Sequence, residues 1–495
     1  MLEKILNGAV FFNDEILWGP WTMIFIAAAA LFFTVLSRFF QFRRWHFLLK
    51  NTFGRITEKA KPDIKGRLSP FQAATTALAG TVGNGNIVGI ATALTIGGPG
   101  AIFWMWLLAL LGMMLKTAEI TLAVHYRHVD EKGNLHGGPM YYMKKGLGWN
   151  FLVPLFCIGV FSNAFLGAAI LQPHTVGRAF VNSSYRMINE SIDPYIITAS
   201  MSLITGLVVI GGIKRIGKVC SKLVPLMSLV YIVGGLAIFV YNYDQIPAVF
   251  AMIIRHAFSP APALGGFAGA SIIKAIQQGM SKGMYSNEAG QGTAPMAHAT
   301  AETDHPFQQG IWGAFEVFVD TILICSITAF AILSTGVLTG PEKATDSLLV
   351  IRAFSPVFSD LIAGVIIFFC TMTFCLSTQI GFFVYYETAI INLAGKKAMK
   401  YFKWIYLIPG IIFAGIGEVD KLWSFATISA ALCALPNLVA VLALSGVFWE
   451  LQKDYMRGQN QYATKVIDAT QNYLKGDITW NKVKQIWPWI RSRFS

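Results

Sequence analysis

The stretch Thr81-Val82-Gly83-Asn84-Gly85-Asn86-Ile87 lies near the middle of an otherwise apolar run from about residue 70 to 96. Two glycines and two asparagines in four consecutive positions are poor helix formers, so this stretch predicts a helix that is interrupted at membrane depth. The freed backbone groups need partners other than lipid, and such backbone is tolerated where it is buried in protein or lines a cavity. Broken helices of this kind form the substrate and ion sites of secondary transporters. The stretch therefore predicts a polar ligand site inside a membrane domain.

A different use of the same small residues stays open. Gly80 and Asn84, and likewise Gly85 and Gly89, have the four-residue spacing by which small side chains let two membrane helices approach closely. A nucleotide-binding loop is excluded, because Gly89 comes one residue too late for the G-x-G-x-x-G pattern and no strand precedes the stretch.

The composition indicates a polytopic membrane protein. Of the 495 residues, 55% are hydrophobic and only 13% are charged, whereas about a quarter are charged in soluble domains. The formal net charge of +13 comes from Lys and Arg in short clusters between apolar runs, an arrangement that sets membrane topology and argues against a nucleic-acid partner. The six cysteines lie in or beside apolar runs without paired spacing, so we expect free thiols.

About eleven apolar runs approach the length of roughly 20 residues that a membrane span requires. We therefore expect an all-α polytopic membrane protein with about 11 transmembrane helices. Every second loop is basic, so the basic loops fall on one side of the membrane, which predicts an N-terminus outside and a C-terminus in the cytoplasm, in the plasma (inner) membrane. The predicted spans are about residues 17 to 37, 70 to 95, 100 to 125, 151 to 180, 195 to 213, 219 to 241, 264 to 285, 311 to 336, 359 to 391, 402 to 417 and 423 to 448.

Three regions of the chain differ in composition. Residues 1–66 are predicted to form an extra N-terminal helix and a basic cytoplasmic loop, residues 67–450 the transporter core, and residues 451–495 a cytoplasmic tail. Trp and Phe stand among Lys and Arg in the tail, which is typical of a segment on an anionic lipid surface, although a partly disordered tail explains the composition equally well. Membrane lipid is therefore an expected partner.

A second glycine-rich stretch, Leu264 to Ser271, opens the seventh predicted span. The two interruptions then lie in the second and seventh spans, which would be the first spans of two five-span halves. This spacing indicates a five-plus-five inverted repeat, the architecture of the leucine-transporter fold, preceded by one extra N-terminal helix. A chance pair is the alternative, because the chain contains 46 glycines.

Several strings resemble one transporter family. The string GGPGAIFWMWL from Gly97 to Leu107 resembles the signature of the sodium:alanine (alanine or glycine:cation) symporter family, and strings at 79–87, 137–142, 286–290 and 303–306 resemble further blocks of that family in the same order. The resemblance covers about residues 65 to 450. It implies a leucine-transporter-type fold and Na+-coupled uptake of a small neutral amino acid, alanine or glycine, by alternating access. Na+ would be the coupling ion; we expect no organic cofactor, no enzymatic activity and a monomer.

The resemblance also implies where the ligands bind. The family's polar residue on the third core helix matches Gln172, whose amide would bond the substrate carboxylate or amine, and two hydroxyl residues on the eighth core helix match Ser377 and Thr378. Without the match, the hydroxyls could simply bond back to their own helix. The expected substrate-binding residues are Thr81, Val82, Asn84, Gly85, Asn86, Gln172, Gly265, Gly266, Phe267, Gly269, Ile276 and Phe382. The expected Na+ ligands are Thr81, Gly83, Thr373, Ser377 and Thr378.

The chain departs from the family pattern at three positions. Phe382 stands where the family usually has a substrate-facing Trp, Asn84 occupies a position commonly held by Thr or Ser, and Gln379 is also unusual. Loss of an indole removes bulk and a hydrogen-bond donor, so the pocket is expected to be larger. A larger neutral amino acid such as glutamine or serine is then a second substrate class.

Other functions stay open at this stage. A passive channel needs no coupling ion, whereas H+ coupling could use the ionisable residues Glu119, His174 or Glu288. A membrane-embedded metalloenzyme could use His298, Glu302 and His305, although their spacing is not H-E-x-x-H. Lys116, three residues before Glu119, is expected to form an ion pair with it or a structural contact with Glu288.

Overall fold

The computed structural model describes residues 8, 11–56, 67–130, 133–188, 193–263, 269–340, 346–414, 419–459 and 461–462. These residues are mostly helical, which confirms the all-α prediction, and they contain one short antiparallel hairpin of β1 (His128–Val129) and β2 (Leu135–His136). The helices are α1 (Pro20–Leu36), α2 (Phe40–Arg43), α3 (Trp45–Thr52), α4 (Pro70–Thr81), α5 (Ile90–Gly97), α6 (Gly100–His125), α7 (Pro139–Tyr141), α8 (Leu152–Ser162), α9 (Leu171–Ile188), α10 (Pro194–Val209), α11 (Gly212–Tyr241), α12 (Ile246–Phe258), α13 (Ile272–Asn287), α14 (Ala294–His298), α15 (Pro306–Val317), α16 (Ser326–Ser334), α17 (Asp346–Leu407), α18 (Pro409–Ile412), α19 (Val419–Ala443) and α20 (Ser445–Met456).

Shorter helical turns connect or continue several of these helices. The π-helical turns are Phe12–Leu17, Gly85–Gly89, Tyr142–Leu147, Asn163–Ile170 and Phe318–Cys325, and the 3-10 turns are Phe53–Arg55, Tyr243–Gln245 and Val337–Thr339. π-helical turns within helices occur frequently at functional sites, and two of these turns, Gly85–Gly89 and Phe318–Cys325, lie beside the polar cluster described below.

The local sequence explains where the interrupted helix begins. Pro70 occupies the first turn of α4, where its missing N–H costs nothing. The Ser69 hydroxyl accepts from the Gln72 backbone N–H at 3.1 Å, and the Gln72 side chain accepts from the Ser69 N–H at 3.1 Å. This reciprocal capping box fixes the start of the helix that ends in the predicted break.

Six helices in the described residues are long and apolar enough to cross a membrane, or seven if the bent pair at residues 70–97 forms one span. α1 and α10 are shorter apolar helices at the positions of the predicted first and fifth spans. α17 contains two residues with non-helical backbone, Ser359 (φ 62°) and Gly395 (φ 81°), so two predicted spans lie in one bent helical run. The count of about 11 spans therefore stays a prediction.

The second interruption lies later than the sequence predicted. Ala261 and Ala270 exchange two backbone hydrogen bonds of 2.9 Å directly before α13, so the described part of the Leu264 to Ser271 stretch is a connection in front of the helix. The helical path breaks instead between Asn287 and Ala294, where Glu288, Gly290 and Gly292 have φ of 56°, 92° and 74°. Left-handed backbone favours glycine, and the two glycines of this segment supply it.

α6 is the central helix of the bundle. In its most apolar 18-residue segment, 83% is buried inside the protein, whereas the corresponding share is 39 to 67% in the other five long apolar helices. Glycines let its neighbours approach closely: a Cβ on Gly283 of α13 would lie 3.0 Å from Met105 Cγ, and one on Gly313 of α15 would lie 3.2 Å from the Lys116 carbonyl carbon. This packing brings the end of α13 against the middle of the bundle, together with the start of the interruption between Asn287 and Ala294, called the second break below.

Candidate functional site

The first break begins where α4 ends. Val82 has extended backbone (φ −78°, ψ 96°), and the helix resumes through Gly85–Gly89 into α5 with a bend of 48°. The Gly83 N–H, freed by the break, donates to Asn86 Oδ1 at 2.8 Å. Asn86 therefore caps the break from within, as expected for a short polar side chain beside irregular backbone.

Gln172 of α9 binds the break through its side-chain amide. Its Oε1 accepts from the Asn84 backbone N–H at 3.1 Å, and its Nε2 donates to Asn84 Oδ1 at 2.8 Å. Asn84 Nδ2 donates in turn to Thr175 Oγ1 at 3.2 Å. The structure thus brings Gln172 to the break as predicted, and it gives Asn84 two partners on the same helix.

Two hydroxyls of α17 face the break from the other side. Ser377 Oγ and Thr378 Oγ1 lie 3.4 and 3.1 Å from the Val82 carbonyl oxygen, and 2.8 and 3.0 Å from the Phe374 carbonyl oxygen. The two hydroxyl oxygens and the two carbonyl oxygens therefore form one cluster. The carbonyl involved belongs to Val82 rather than to Gly83, although a Cβ on Gly83 would clash with the Thr378 hydroxyl.

Two other predicted Na+ ligands do not join these four oxygens through hydrogen bonds. The Thr81 hydroxyl donates to the Leu78 carbonyl oxygen at 3.1 Å. The Thr373 hydroxyl donates to the Phe369 carbonyl oxygen at 2.8 Å within its own helix, in a part-exposed setting. Back-bonding of this kind is the ordinary fate of a hydroxyl in a membrane helix.

Asp320 was not predicted, and it is the charged centre of the site. It lies fully buried on the Phe318–Cys325 turn and accepts hydrogen bonds from Asn86 Nδ2 at 2.6 Å, Ser286 Oγ at 2.9 Å and Thr321 Oγ1 at 2.7 Å. A buried carboxylate is costly unless it is hydrogen-bonded, and these three donors offset that cost. A lone aspartate inside an apolar span was the signal that could have identified it.

Asn86 also connects the break to a third part of the bundle. Its backbone carbonyl accepts from Thr328 Oγ1 at 2.6 Å, and Thr328 Oγ1 lies 2.6 Å from the Tyr231 hydroxyl oxygen. Asn86 therefore contacts the start of α16 as well as Asp320, and its main-chain and side-chain groups are all hydrogen-bonded.

The second break is held by a separate polar network. Gly290 donates its N–H to Glu119 Oε2 at 3.2 Å, and its carbonyl oxygen accepts from Asn437 Nδ2 at 2.9 Å. Asn437 Nδ2 also donates to Glu119 Oε1, and Asn437 Oδ1 accepts from the Tyr142 hydroxyl. Glu288 accepts from Thr293 Oγ1 at 2.9 Å. Both breaks thus have side-chain partners on other helices.

The expected pairing of Lys116 is wrong. Lys116 forms an ion pair with Glu316 at 3.1 Å and donates to the Asn287 carbonyl oxygen at 2.8 Å. Glu119 and Glu288 have the partners given above instead. Lys116 therefore supports the end of α13 through the backbone of Asn287.

The structure separates the other predicted substrate residues from the first break. Ser286, at the end of α13, would be 3.4 Å from a Cβ on Gly85, whereas Gly269 precedes the start of the same helix. Fourteen residues at about 1.5 Å each put roughly 20 Å between the two ends. Ile276 lies half-buried in the second turn of α13. Gly265, Gly266 and Phe267 lie outside the described residues.

Phe382 lies one helical turn beyond Thr378 on α17. It is 6% exposed, and its ring packs edge-on against the Tyr385 ring with centroids 5.0 Å apart. The structure therefore places it in buried surroundings beside Tyr385, one turn from the two hydroxyls.

The metalloenzyme hypothesis is not supported. His298 Nε2 lies 2.6 Å from Glu316 Oε1, whereas His305 Nε2 lies 3.1 Å from Asp454 Oδ2. Among the residues that the structure describes, no group of three or more His, Cys, Asp or Glu side chains could hold a metal ion.

The family model for the sodium:alanine symporter family matches residues 3–469. The chain belongs to the sodium:alanine symporter family. This is a transporter family, and membership together with several long apolar helices fits a multi-pass membrane protein.

Two relatives and one solved structure are similar to this family member over most of its length. The sodium/alanine symporter AgcS of Methanococcus maripaludis is 34% identical over 440 residues, which cover 88% of this chain and 94% of the relative. The probable sodium/glutamine symporter GlnT of Bacillus subtilis is 35% identical over 460 residues, covering 92% of each chain. The crystal structure of MhsT in complex with L-phenylalanine matches with a TM-score of 0.56 at 14% identity, covering 81% of this chain and 97% of MhsT. The chain thus shares the fold of leucine-transporter-type structures.

Proposed function

We propose that the protein couples the inward movement of Na+ to the uptake of a small neutral amino acid by alternating access. Family membership supports symport, and one observation carries the assignment of the site. Asn86 of the first break and Ser286, directly before the second break, donate to the same buried carboxylate of Asp320. A cation or substrate held there would contact both broken helices at once.

The proposed Na+ positions are two sets of oxygen atoms. One set comprises the carbonyls of Val82 and Phe374 with the hydroxyls of Ser377 and Thr378, and the other comprises Asp320, Ser286 and Thr321. A hydroxyl that now donates can rotate and present its lone pairs to a cation. Asp320 adds a full negative charge to the second set, so it is the stronger candidate for binding Na+.

The proposed amino-acid position lies beside Asn84 and Gln172. Gln172 Oε1 now accepts from the Asn84 N–H, and an amino-acid carboxylate offers an acceptor of the same kind with a full charge. The free amides of a broken helix are suited to such a carboxylate. Gly83 and Gly85 leave the backbone accessible, because a Cβ on Gly83 would lie 3.2 Å from Gln172 Oε1.

We propose alanine or glycine as the substrate, with glutamine or serine as the second candidate. AgcS is named as an alanine symporter and GlnT as a probable glutamine symporter, and the two proteins are about equally similar to this chain. Phe382 in place of a larger indole favours the second candidate, because it leaves more room in the wall. We further propose eleven spans, of which one extra N-terminal helix precedes two inverted five-span halves. We also propose a monomer, an outside N-terminus and a cytoplasmic C-terminus in the inner membrane.

The test is uptake into proteoliposomes that contain the full chain. Labelled alanine, glycine, glutamine and serine are each supplied with an inward Na+ gradient, or with choline in place of Na+ at fixed pH. Accumulation of at least one amino acid above its external concentration, only with Na+, is expected. Uptake that persists in choline and follows a pH gradient would assign H+ coupling, and uptake that never exceeds the external concentration would assign a channel.

A further inference from the structure

A cavity of about 310 Å³ lies where α1 ends. The turn after α1 and α2 form one side of it, and α20 forms the other. It has room for much more than a water molecule, whose share of liquid volume is about 30 Å³. No acidic side chain of the described residues lines it, whereas five cationic side chains do: Arg38, Arg43, Arg44, Lys453 and Arg457.

We propose that this cavity binds the phosphate headgroup of an anionic membrane lipid. Within the described ranges, Lys453 lies 3.6 Å from Glu450, while the four arginines form no ion pair with an acidic side chain. Like charges around one cavity repel each other, and a bound anion offsets that repulsion. The guanidinium group matches two phosphate oxygens at once, which favours a phosphate over a halide ion.

Two neutral side chains in the cavity wall each have one buried polar atom without a hydrogen-bond partner. Gln452 is 5% exposed and its Oε1 has no hydrogen bond, and the buried Trp449 Nε1 has none within the described part of the chain. The oxygen and nitrogen of a Gln amide are assigned from the hydrogen bonds they make, so the amide can turn to present its N–H groups. The Trp449 N–H is a buried donor without an acceptor, which is costly, and a phosphate oxygen would satisfy it; the Gln452 N–H groups would donate to the same phosphate once the amide has turned.

The backbone holds Arg38 toward the cavity at a conformational cost. Arg38 and Phe39 are consecutive non-glycine residues with φ of 58° and 56°, a conformation that L-residues rarely adopt. This turn places the Arg38 guanidinium 5.6 Å from the centre of the Trp449 ring. A strained backbone conformation of this kind persists only where contacts with the surrounding structure hold it in place.

Exposed apolar side chains indicate that the ligand is a lipid rather than free phosphate. Phe39 is 44% exposed and Phe42 is 51% exposed, and both lie beside the cationic cavity at the end of a predicted membrane span. Apolar side chains next to cationic ones are typical of a segment that meets acyl chains and charged headgroups together. The cavity therefore fits a ligand with both parts.

The test is native mass spectrometry of the full chain in detergent. The protein is titrated with phosphatidylglycerol or with phosphatidylcholine that carries the same acyl chains. We expect phosphatidylglycerol to bind more tightly by about tenfold or more, given its net negative charge. Equal binding of the two lipids would overturn the proposal, and so would displacement of the lipid by inorganic phosphate at equal concentration, which would assign the cavity to free phosphate.

One triple variant and a matched triple control locate the binding. Arg43→Gln with Arg44→Gln and Arg457→Gln should lower phosphatidylglycerol affinity by about tenfold or more. The control, Lys214→Gln with Lys218→Gln and Lys222→Gln, removes the same charge from another basic groove at the start of α11 and should change affinity by less than about twofold. Equal losses in the two triple variants would contradict a built site.

A conservative variant covers the case in which the arginine variant does not fold. Trp449→Phe keeps an aromatic ring beneath Arg38 but removes the indole N–H. It should lower phosphatidylglycerol affinity by about threefold or more, since one hydrogen bond to a charged acceptor is lost. Unchanged affinity would remove Trp449 from the site and contradict the proposed headgroup contact. The readout is binding rather than uptake, so it is independent of the proposed transport function.

Discussion

At the residue scale, Asn86 connects the first break to the rest of the site. Its Oδ1 caps the Gly83 N–H, its Nδ2 donates to Asp320, and its carbonyl accepts from Thr328. A sequence of two asparagines among glycines predicts a polar break, but it does not show which partners each asparagine finds. Asp320 and Thr328 lie 234 and 242 positions from Asn86, and Gln172 and Thr175 lie 88 and 91 positions from Asn84, so only the folded chain identifies them.

Asp320→Asn tests the charged centre of the site. The amide keeps the size of the side chain but removes the negative charge and adds donors facing the donors of Asn86 and Ser286. We expect the Na+ concentration for half-maximal uptake to rise by about 100-fold, or uptake to disappear, because a buried charge contributes about 3 kcal/mol or more to its partner. Asp130→Asn, in the β-hairpin connection, is the control and should leave the Na+ dependence unchanged. Unchanged Na+ dependence in Asp320→Asn would remove this carboxylate from Na+ binding.

Ser377→Ala with Thr378→Ala tests the second set of oxygens. Loss of two neutral ligands should raise the Na+ concentration for half-maximal uptake by about tenfold, at roughly 0.7 kcal/mol each. Thr373→Ala is the matched control on the same helix, because its hydroxyl bonds within its own helix. Equal effects of the double variant and the control would show that these hydroxyls serve only helix packing.

Phe382→Trp tests the pocket wall. The indole adds bulk one turn from Thr378, so uptake of glutamine should fall relative to uptake of alanine by about tenfold, the discrimination that a change in pocket volume usually provides. Competition of both amino acids against one labelled substrate measures the ratio. A preference that does not move toward smaller substrates would place Phe382 outside the substrate pocket.

At the scale of elements, the first break was predictable and the second was not. The stretches at residues 81–87 and 264–271 are both glycine-rich, but the second break forms later, at Gly290 and Gly292. It forms there because Glu119 and Asn437 bind the freed backbone of Gly290. The ion-pair partner of Lys116 was likewise not predictable from local spacing. Spacing on one helix suggested Glu119, whereas helix packing brings Glu316, 200 positions later, within 3.1 Å.

Gly381→Ala tests the contact between α4 and α17, which holds the two hydroxyls against the break. A Cβ on Gly381 would lie 2.7 Å from the Gly80 nitrogen and 2.9 Å from the Thr76 carbonyl oxygen, so the helices would have to separate. The free energy of unfolding should fall by about 1–3 kcal/mol, seen as a lower midpoint of thermal unfolding in detergent. Gly54→Ala, whose Cβ would meet only Lys50 Cγ at 4.0 Å, should unfold like the wild type. An unchanged midpoint in Gly381→Ala would mean that the contact adapts freely.

At the scale of the whole molecule, the low charge and the long apolar runs predicted a polytopic helical protein, and the long apolar helices and the family fit that prediction. Five ordered strings predicted the family, which the family model confirms. Part of the polar cluster was also predictable, because Gln172, Ser377 and Thr378 contact the first break, where the family resemblance implied ligand-binding residues. Asp320 was missed: an aspartate in an apolar span is itself a signal, but the span does not show that Asn86 and Ser286 from distant parts of the chain join Thr321 in donating to this carboxylate.

The central claim is that amino acid and Na+ cross together, and reciprocal flux measures this directly. Proteoliposomes with no Na+ gradient receive an inward gradient of the amino acid that the uptake assay identifies, and entry of radioactive Na+ is followed. Symport predicts that the amino-acid gradient alone drives Na+ inward, and that Asp320→Asn abolishes this flux. Na+ entry that is the same with and without the amino acid would contradict coupling at this site.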